Sequence, residues 1–194
     1  MIININNEES KINAIEKSIK IINDGGVIIS PTDTVYGFLA DAFNIEATKR
    51  IYNIKTRDSS KPLIILLKDI KEVKKFSDMD IPEIVKNKLP NELTFIMPLK
   101  EELKNKLFFL KDTVALRIPK DKYINSILQK TNPLVAPSAN PSNYGVIYDS
   151  YTIIKFFKND VDLIVDAGTL EQKMPSTLYD CINNKILRQG NVLL

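Results

Sequence analysis

One stretch of the chain, residues 62–67, is apolar without interruption, and it constrains the fold more than any other stretch. Pro62-Leu63-Ile64-Ile65-Leu66-Leu67 has no polar position on either face. A strand with this pattern is buried on both faces, as it is in a sheet that helices cover on two sides. The run therefore predicts a layered α/β architecture.

Other short apolar runs alternate with amphipathic stretches along the chain. Strands are predicted at 27–30, 62–67, 93–97, 113–118, 134–136, 162–166, 176–180 and 184–188. Helices are predicted from an N-cap at Ser10 to Gly25-Gly26, after a cap at Asn44, at 69–76 and 81–89, after a cap at Asp121, and near 150–158. On the second helix, Ile45, Thr48, Ile51 and Tyr52 are expected to face inward. The order predicts a single α/β domain, 1–194, with an open, twisted, mixed β-sheet flanked by helices.

The residue types that are missing narrow the chemistry. The chain has no histidine, which excludes Ser-His-Asp and Cys-His catalysis and His-ligated zinc. The one cysteine, Cys181, forms no internal disulfide and fits a reducing cytoplasm. No apolar run is long enough to span a membrane and no secretory signal is evident, so a cytoplasmic protein without a membrane partner is expected.

Positive charge is concentrated in one segment. The net charge is +3, but residues 44–75 alone carry +5. A local basic surface suits phosphate groups or nucleic acid. A solvated helix face is the other interpretation, and we favour it for Lys71, Lys74 and Lys75.

Polar residues cluster where several predicted strands end, which is where ligands bind in open α/β sheets. The first cluster, Ser30-Pro31-Thr32-Asp33-Thr34, precedes a turn expected at Tyr36-Gly37, and Tyr36 fits a core or a pocket role equally well. The other clusters are Lys55-x-Arg57 with Lys61, Thr113 with Arg117, Pro137-Ser138-Ala139-Asn140, Pro175-Ser176-Thr177 and Arg188-Gln189-Gly190. Each cluster alone is as well explained by a turn or a surface ion pair. Their repetition favours a site for anions, because guanidinium and ammonium groups recur beside hydroxyls.

These clusters, in this order, resemble the YrdC-like family of threonylcarbamoyl-AMP synthases. The resemblance extends from about Gly25 to Gly190, and its most specific part is Pro-Thr-Asp-Thr-Val-Tyr-Gly at 31–37. The Lys-x-Arg and Ser-x-Asn signature of the family is present at 55–57 and 138–140. Further matching elements are Val-Ala-Leu-Arg-Ile-Pro at 114–119 and Leu-Arg-Gln-Gly at 187–190. The resemblance implies the YrdC-like fold in its short form, without an additional C-terminal domain.

The resemblance also implies a reaction and a set of site residues. L-threonine, bicarbonate and ATP would give threonylcarbamoyl-AMP and pyrophosphate, and downstream tRNA threonylcarbamoyl-transferase proteins would modify adenosine 37 of tRNA. The implied catalytic residues are Lys55 and Arg57. The implied threonine-binding residues are Thr32, Thr34, Arg117, Ala136 and Ser176, and the implied ATP-binding residues are Arg57, Lys61, Thr113, Ser138, Asn140, Val146 and Arg188. Mg²⁺ is expected to arrive with the ATP phosphates, with no protein-ligated metal.

The chemistry and the departures from the family pattern leave two questions open. Nucleotidyl transfer needs positioning and charge neutralisation more than a nucleophile, so a chain without histidine suffices. The sequence does not name the base that deprotonates threonine. Glycines of the family pattern are replaced, as at Phe38-Leu39, Asn91 and Ser142-Asn143. A second hypothesis is a non-catalytic paralogue that binds double-stranded RNA or tRNA through its basic face.

Overall fold

A computed structural model describes residues 1–142 and 144–194 of the chain; Asn143, one of the replaced glycine positions, lies outside the described residues. Its ten strands join into one sheet in the order β1-β8-β2-β3-β7-β4-β6-β5-β9-β10. The strands are β1 (Ile2–Asn4), β2 (Ile28–Pro31), β3 (Tyr36–Asp41), β4 (Ile65–Leu66), β5 (Leu93–Pro98), β6 (Thr113–Arg117), β7 (Leu134–Val135), β8 (Leu163–Asp166), β9 (Thr177–Asp180) and β10 (Lys185–Arg188). Four neighbouring pairs are parallel and five are antiparallel, which confirms the predicted open, mixed α/β sheet.

The helices begin at side-chain caps in most cases. They are α1 (Glu8–Asn23), α2 (Ile45–Lys55), α3 (Glu83–Lys86), α4 (Glu101–Lys104), α5 (Lys122–Leu128) and α6 (Ser150–Phe157), with a 3₁₀-helix at Ile70–Lys75. The predicted caps at Asn44 and Asp121 are confirmed, because their side chains accept hydrogen bonds from Ala47 N and Ile124 N. The predicted cap at Ser10 is wrong. Asn7 caps α1, and Ser10 completes a reciprocal capping box three residues later.

In the apolar run at 62–67, Leu63 and residues 65–67 are buried as predicted, but Pro62 is exposed, Ile64 is half-buried and the regular strand is shorter. Ile65 packs in one hydrophobic cluster and Leu66 in the other, on opposite sides of the sheet. Ile28 and Leu39 lie with the second cluster, under α1 and α5, whereas Ile29 lies with the first. The sheet is therefore a central layer with a core on each side.

The turn that follows the polar cluster at 30–34 was predicted at Tyr36-Gly37, but it lies earlier in the chain. The chain reverses at 32–35, and Tyr36 and Gly37 already pair in β3 with Pro31 and Ser30. The expected turn at Tyr36-Gly37 is wrong because both residues are held in this ladder. Tyr36 is fully buried, and its hydroxyl donates to Gly168 O and accepts from Ala167 N, so it serves the core.

One inward-facing position on α2 also differs from the prediction. Thr48, Ile51 and Tyr52 are buried as expected, but Ile45 is exposed. Lys55 takes its place on the inner face, at the C-terminal end of the helix. Within the described residues, none of the helices combines the length and the hydropathy that crossing a membrane requires.

Candidate active site

A small cavity lies where the turn between β2 and β3 faces β4, β6 and the end of β7. The side chains and backbone that line it belong to Thr32, Asp33, Thr34, Val35, Gly37, Ile64, Leu66, Arg117, Ala136 and Ser138. Five residues of the predicted site therefore share one cavity, although they come from three separate parts of the sequence. They are Thr32, Thr34, Arg117, Ala136 and Ser138.

The turn is held by the hydroxyl of Thr32. Thr32 Oγ1 donates to Val35 O at 2.7 Å and accepts from the amides of Val35 and Thr34. Its one proton is thus used inside the turn. Thr34 Oγ1 lies 3.3 Å from Thr32 Oγ1 and accepts a hydrogen bond from Arg117. Of the two hydroxyl groups, that of Thr34 is therefore the more available to a ligand in the cavity.

A buried ion pair forms the floor of the cavity. Arg117, the last residue of β6, places Nη2 2.5 Å from Asp33 Oδ2, and the two side chains are 7% and 11% exposed. Arg117 Nη1 donates to Thr34 Oγ1 at 3.4 Å. Burial raises the pKa of Asp33, and the charge of Arg117 opposes that rise. Both residues stand in predicted polar clusters, but no pattern in the sequence pairs them.

Lys55 braces the segment that carries Ser138 and Asn140. Its Nζ is 2.6 Å from both Ser138 O and Asn140 O and 5.5 Å from the ring centre of Phe38. Ser142 N donates back to Lys55 O. Burial, with a smaller contribution from Arg57, lowers the pKa of Lys55 to about 8. These contacts make Lys55 a positioning residue for this segment, and its direct catalytic role stays a prediction.

Ser138 and Asn140 also contact each other. Ser138 Oγ donates to Asn140 Oδ1 at 2.5 Å, and the Asn140 amide donates to Pro141 O and Tyr144 O. The Ser-x-Asn half of the signature is therefore a closed turn whose shape depends on both side chains. Lys55 completes it from the helix side.

Ser176 reaches the same region from the other flank of the sheet. The Arg188 guanidinium donates to Ser176 O and Oγ, and Ser176 Oγ lies 2.9 Å from Thr94 Oγ1. Thr94 pairs with Arg117 in the register of β5 and β6. Thr94 was not predicted as a site residue.

Several predicted ATP-binding residues lie away from this cavity. The predicted cluster of Thr113 with Arg117 is wrong, because the two residues stand at opposite ends of β6, about 13 Å apart at the usual strand rise. Arg57 donates to Lys61 O and Pro62 O and holds the loop that follows α2. Val146 is 47% exposed and lines a separate cavity with Tyr144 and Tyr148. Their contacts with ATP stay predictions.

This geometry occurs in a chain that matches one family model over residues 20–190, the telomere recombination family that comprises Sua5, YciO and YrdC. The chain belongs to this family. It is 32% identical, over 95% of its length and 89% of the relative's, to a Methanocaldococcus jannaschii protein named "Putative threonylcarbamoyl-AMP synthase". P. abyssi Sua5 complexed with L-threonine superposes with a TM-score of 0.87 at 28% identity, covering 99% of this chain and 58% of Sua5. E. coli YciO, at 24% identity and a TM-score of 0.83, has the same fold and covers 98% of this chain and 96% of YciO.

The basic segment at residues 44–75 is not by itself a nucleic-acid surface, because several of its positive charges are paired. At least four of its nine basic residues pair with carboxylates: Lys49 with Glu46, Arg50 with Asp162, Lys74 with Asp80 and Lys75 with Glu72. Lys55 is buried in the site. The pairing of Lys74 and Lys75 agrees with the solvated interpretation of that helix face.

Gly190, the last residue that the family model matches, holds the Ser176 segment by close backbone contact. A Cβ at Gly190 would lie 2.2 Å from Pro175 O and 2.6 Å from Thr177 N. Gly190 N donates to Thr177 Oγ1, which in turn donates to Val192 O. The Gly190→Ala variant is therefore expected to lose about 1–3 kcal/mol of unfolding free energy, measured by urea denaturation.

The control for this prediction is Gly145→Ala. A Cβ at Gly145 meets nothing within 4 Å, so this variant is expected to keep or slightly gain stability. Equal unfolding free energies for the two variants would show that the close approach at Gly190 does not constrain the segment.

Proposed function

We propose that the protein is a threonylcarbamoyl-AMP synthase, which joins L-threonine, bicarbonate and ATP and releases pyrophosphate. The observation that carries the proposal is the cavity in which Arg117, Asp33 and Thr34 meet beside the Ser-x-Asn turn. The family supports it, as does the complex of P. abyssi Sua5 with L-threonine.

Arg117 retains hydrogen-bonding capacity at this small cavity, which holds about 30 Å³ and must widen to admit an amino acid. Nη1 is directed to Thr34, but Nε has no acceptor within the described residues. A guanidinium binds a carboxylate through two parallel hydrogen bonds, so the carboxylate of L-threonine supplies the missing acceptor. Thr34 and Ser176 then bind from the two flanks, with Ala136 as a packing contact.

We place ATP along the turn that Lys55 braces, next to Ser138, Asn140 and the loop of Arg57. The amine of threonine first combines with bicarbonate to give a carbamate. A carbamate oxygen then attacks the α-phosphorus in line and pyrophosphate leaves. Arg57 and Arg188 neutralise the developing charge. The product is a mixed anhydride, and we propose that downstream transferase proteins pass its threonylcarbamoyl group to adenosine 37 of tRNA.

Mg²⁺ enters this proposal as a companion of ATP. Residues 1–142 and 144–194 contain no group of three or more Asp, Glu, Cys or His side chains placed to hold a metal ion. Phosphate oxygens are preferred ligands of Mg²⁺, and a nucleotide brings its own. Lys61 would contact the phosphates through its single charged ammonium group. Arg57 would contact them through the paired N–H donors of its guanidinium group.

A direct assay tests the proposed function. The purified chain is incubated with ATP, Mg²⁺, bicarbonate and radiolabelled L-threonine, and labelled adenylate and pyrophosphate are measured. We expect both products, and neither when threonine or bicarbonate is omitted. Absence of product together with salt-sensitive binding of duplex RNA would favour the RNA-binding alternative instead.

The Thr34→Val variant tests the threonine pocket. It keeps the shape of the side chain but removes the hydroxyl, so L-threonine affinity is expected to fall about 10-fold, the value of one good hydrogen bond. Thr48→Val is the matched control, because Thr48 is also buried but its hydroxyl bonds only to the first residue of α2 and its cap. Calorimetric titration measures both, and unchanged affinity in Thr34→Val would remove Thr34 from the pocket.

A further inference from the structure

The proposed function leaves one charged group of the cavity without a role, the carboxylate of Asp33. This carboxylate lines the cavity beside Arg117 and is 11% exposed. Asp33 Oδ2 is paired with Arg117 Nη2 at 2.5 Å, which leaves Asp33 Oδ1 as an acceptor, and Arg117 Nε has no acceptor within the described residues. The pair thus balances charge while leaving hydrogen-bonding capacity on both members.

An amino acid is the ligand that such a pair fits. L-threonine carries a carboxylate and an ammonium group on one carbon, and the cavity carries a guanidinium and a carboxylate in contact. Opposite charges meet when the substrate carboxylate lies on Arg117 and the substrate ammonium lies on Asp33. A keto acid or a hydroxy acid would satisfy only half of this arrangement, and would leave the Asp33 carboxylate facing a second anion.

We infer that Asp33 binds the α-ammonium group of L-threonine and accepts the proton that this group loses before the carbamate forms. The inference rests on the proposed function and adds the residue that selects an amino acid and activates its amine. One N–H bond of the ammonium breaks and the proton moves to a carboxylate oxygen of Asp33. The freed nitrogen pair forms the C–N bond to the carbon of bicarbonate, and the second N–H proton leaves with the bicarbonate hydroxyl as water. Asp33 then returns its proton to solvent.

Other groups near the cavity are already engaged. The Lys55 ammonium is directed at Ser138 O and Asn140 O, and the Tyr36 hydroxyl is held by Gly168 and Ala167. Among the described residues that line the cavity, Asp33 is the only carboxylate. Glu92 and Asp121 act on Asp33 only through their charge, in the direction that raises its pKa, and Arg117 acts in the opposite direction. A raised pKa makes a carboxylate a better proton acceptor.

Binding measurements with two ligands test the ammonium contact. The probes are L-threonine and 3-hydroxybutyrate, which keeps the carboxylate, hydroxyl and methyl groups but lacks the ammonium. The Asp33→Asn variant is expected to bind L-threonine about 10-fold or more weakly and 3-hydroxybutyrate at least as tightly as the wild type. If Asp33 only positions Arg117, both ligands weaken in the same proportion, and that result overturns the inference.

Single-turnover rates test the proton transfer. At saturating L-threonine and ATP, Asp33→Asn is expected to form adenylate at least about 10-fold more slowly than the wild type at pH 7. Near pH 9.5, where the amine loses its proton to solvent, it is expected to approach the rate of the wild type at that same pH. A deficit that does not change with pH overturns the proton-acceptor role. A wild-type chain that forms no adenylate overturns the proposed function, whereas an active wild type with an unaffected Asp33→Asn variant overturns this inference alone.

Discussion

The Arg117→Met variant is expected to lose measurable L-threonine binding and about 3–5 kcal/mol of unfolding free energy, because breaking a buried ion pair leaves an uncompensated charge. Arg117 is 6% exposed. Its loss leaves the buried Asp33 carboxylate without its ion-pair partner and removes the hydrogen-bond donor to Thr34. Urea denaturation measures the stability and calorimetric titration measures the binding. Retention of L-threonine affinity within about threefold would place the substrate carboxylate elsewhere.

A double variant separates the two effects of this change. Asp33→Asn combined with Arg117→Met removes both charges, so most of the lost stability is expected to return while L-threonine binding stays absent. Arg50→Met provides the matched control, because Arg50 also pairs with an aspartate, Asp162, but both side chains are more than one-third exposed. Its cost is expected to be at most about 1 kcal/mol, with unchanged binding.

The Lys55→Met variant is expected to have the second largest effect, on ATP. Without the ammonium group, Ser138 O and Asn140 O lose their shared donor, which costs about 1–3 kcal/mol of stability and frees the Ser-x-Asn turn. ATP affinity is therefore expected to fall about 100-fold or more, since the phosphates lose both charge and a fixed backbone. Lys49→Met, on the exposed face of the same helix, is the control and should change neither quantity. Wild-type ATP affinity in Lys55→Met would contradict the placement of ATP along this turn.

The pKa of Lys55 gives this prediction a pH dependence. The protonated form donates to the two carbonyls, and burial lowers its pKa to about 8. The wild type is therefore expected to lose ATP affinity as pH rises from 7 to 9, because only the protonated Lys55 holds the Ser-x-Asn turn in place. The Lys55→Met variant should show no such loss, and parallel profiles for the two proteins would assign the titration to another group.

Local signals in the sequence predicted the elements whose patterns are complete within a few residues. Asn44 and Asp121 were identified as caps because capping depends on one side chain and the next three amides. Strand β3 was missed because Gly37 resembles a turn residue and because residues 36–41 are buried on both faces, without the alternation that marks a strand at a sheet surface. Asn7 was missed because Ser10, at N3 of the capping box, is an equally good cap residue.

The candidate site was predictable as a set of residues but not as a set of contacts. The resemblance named Thr34, Arg117 and Ser138, and the structure brings all three to one cavity. The Asp33–Arg117 pair joins positions 84 residues apart, and no local pattern encodes such a pairing. Thr113 was grouped with Arg117 because the two are close in sequence, whereas an extended strand separates them by its full length.

The placement of β7 has a consequence for how the molecule is made. This two-residue strand stands between β3 and β4 and pairs with both. The hairpin that carries Thr34 and the hairpin that carries Arg117 each pair strands that are close in sequence. In the sheet, residues 134–135 connect the two hairpins, with β4 between β7 and β6, and the segments of Ser138 and Ser176 follow residues 134–135 in the sequence. The proposed threonine and ATP sites therefore need nearly the whole chain, and ligands that bind there are expected to stabilise only the finished protein, by mass action.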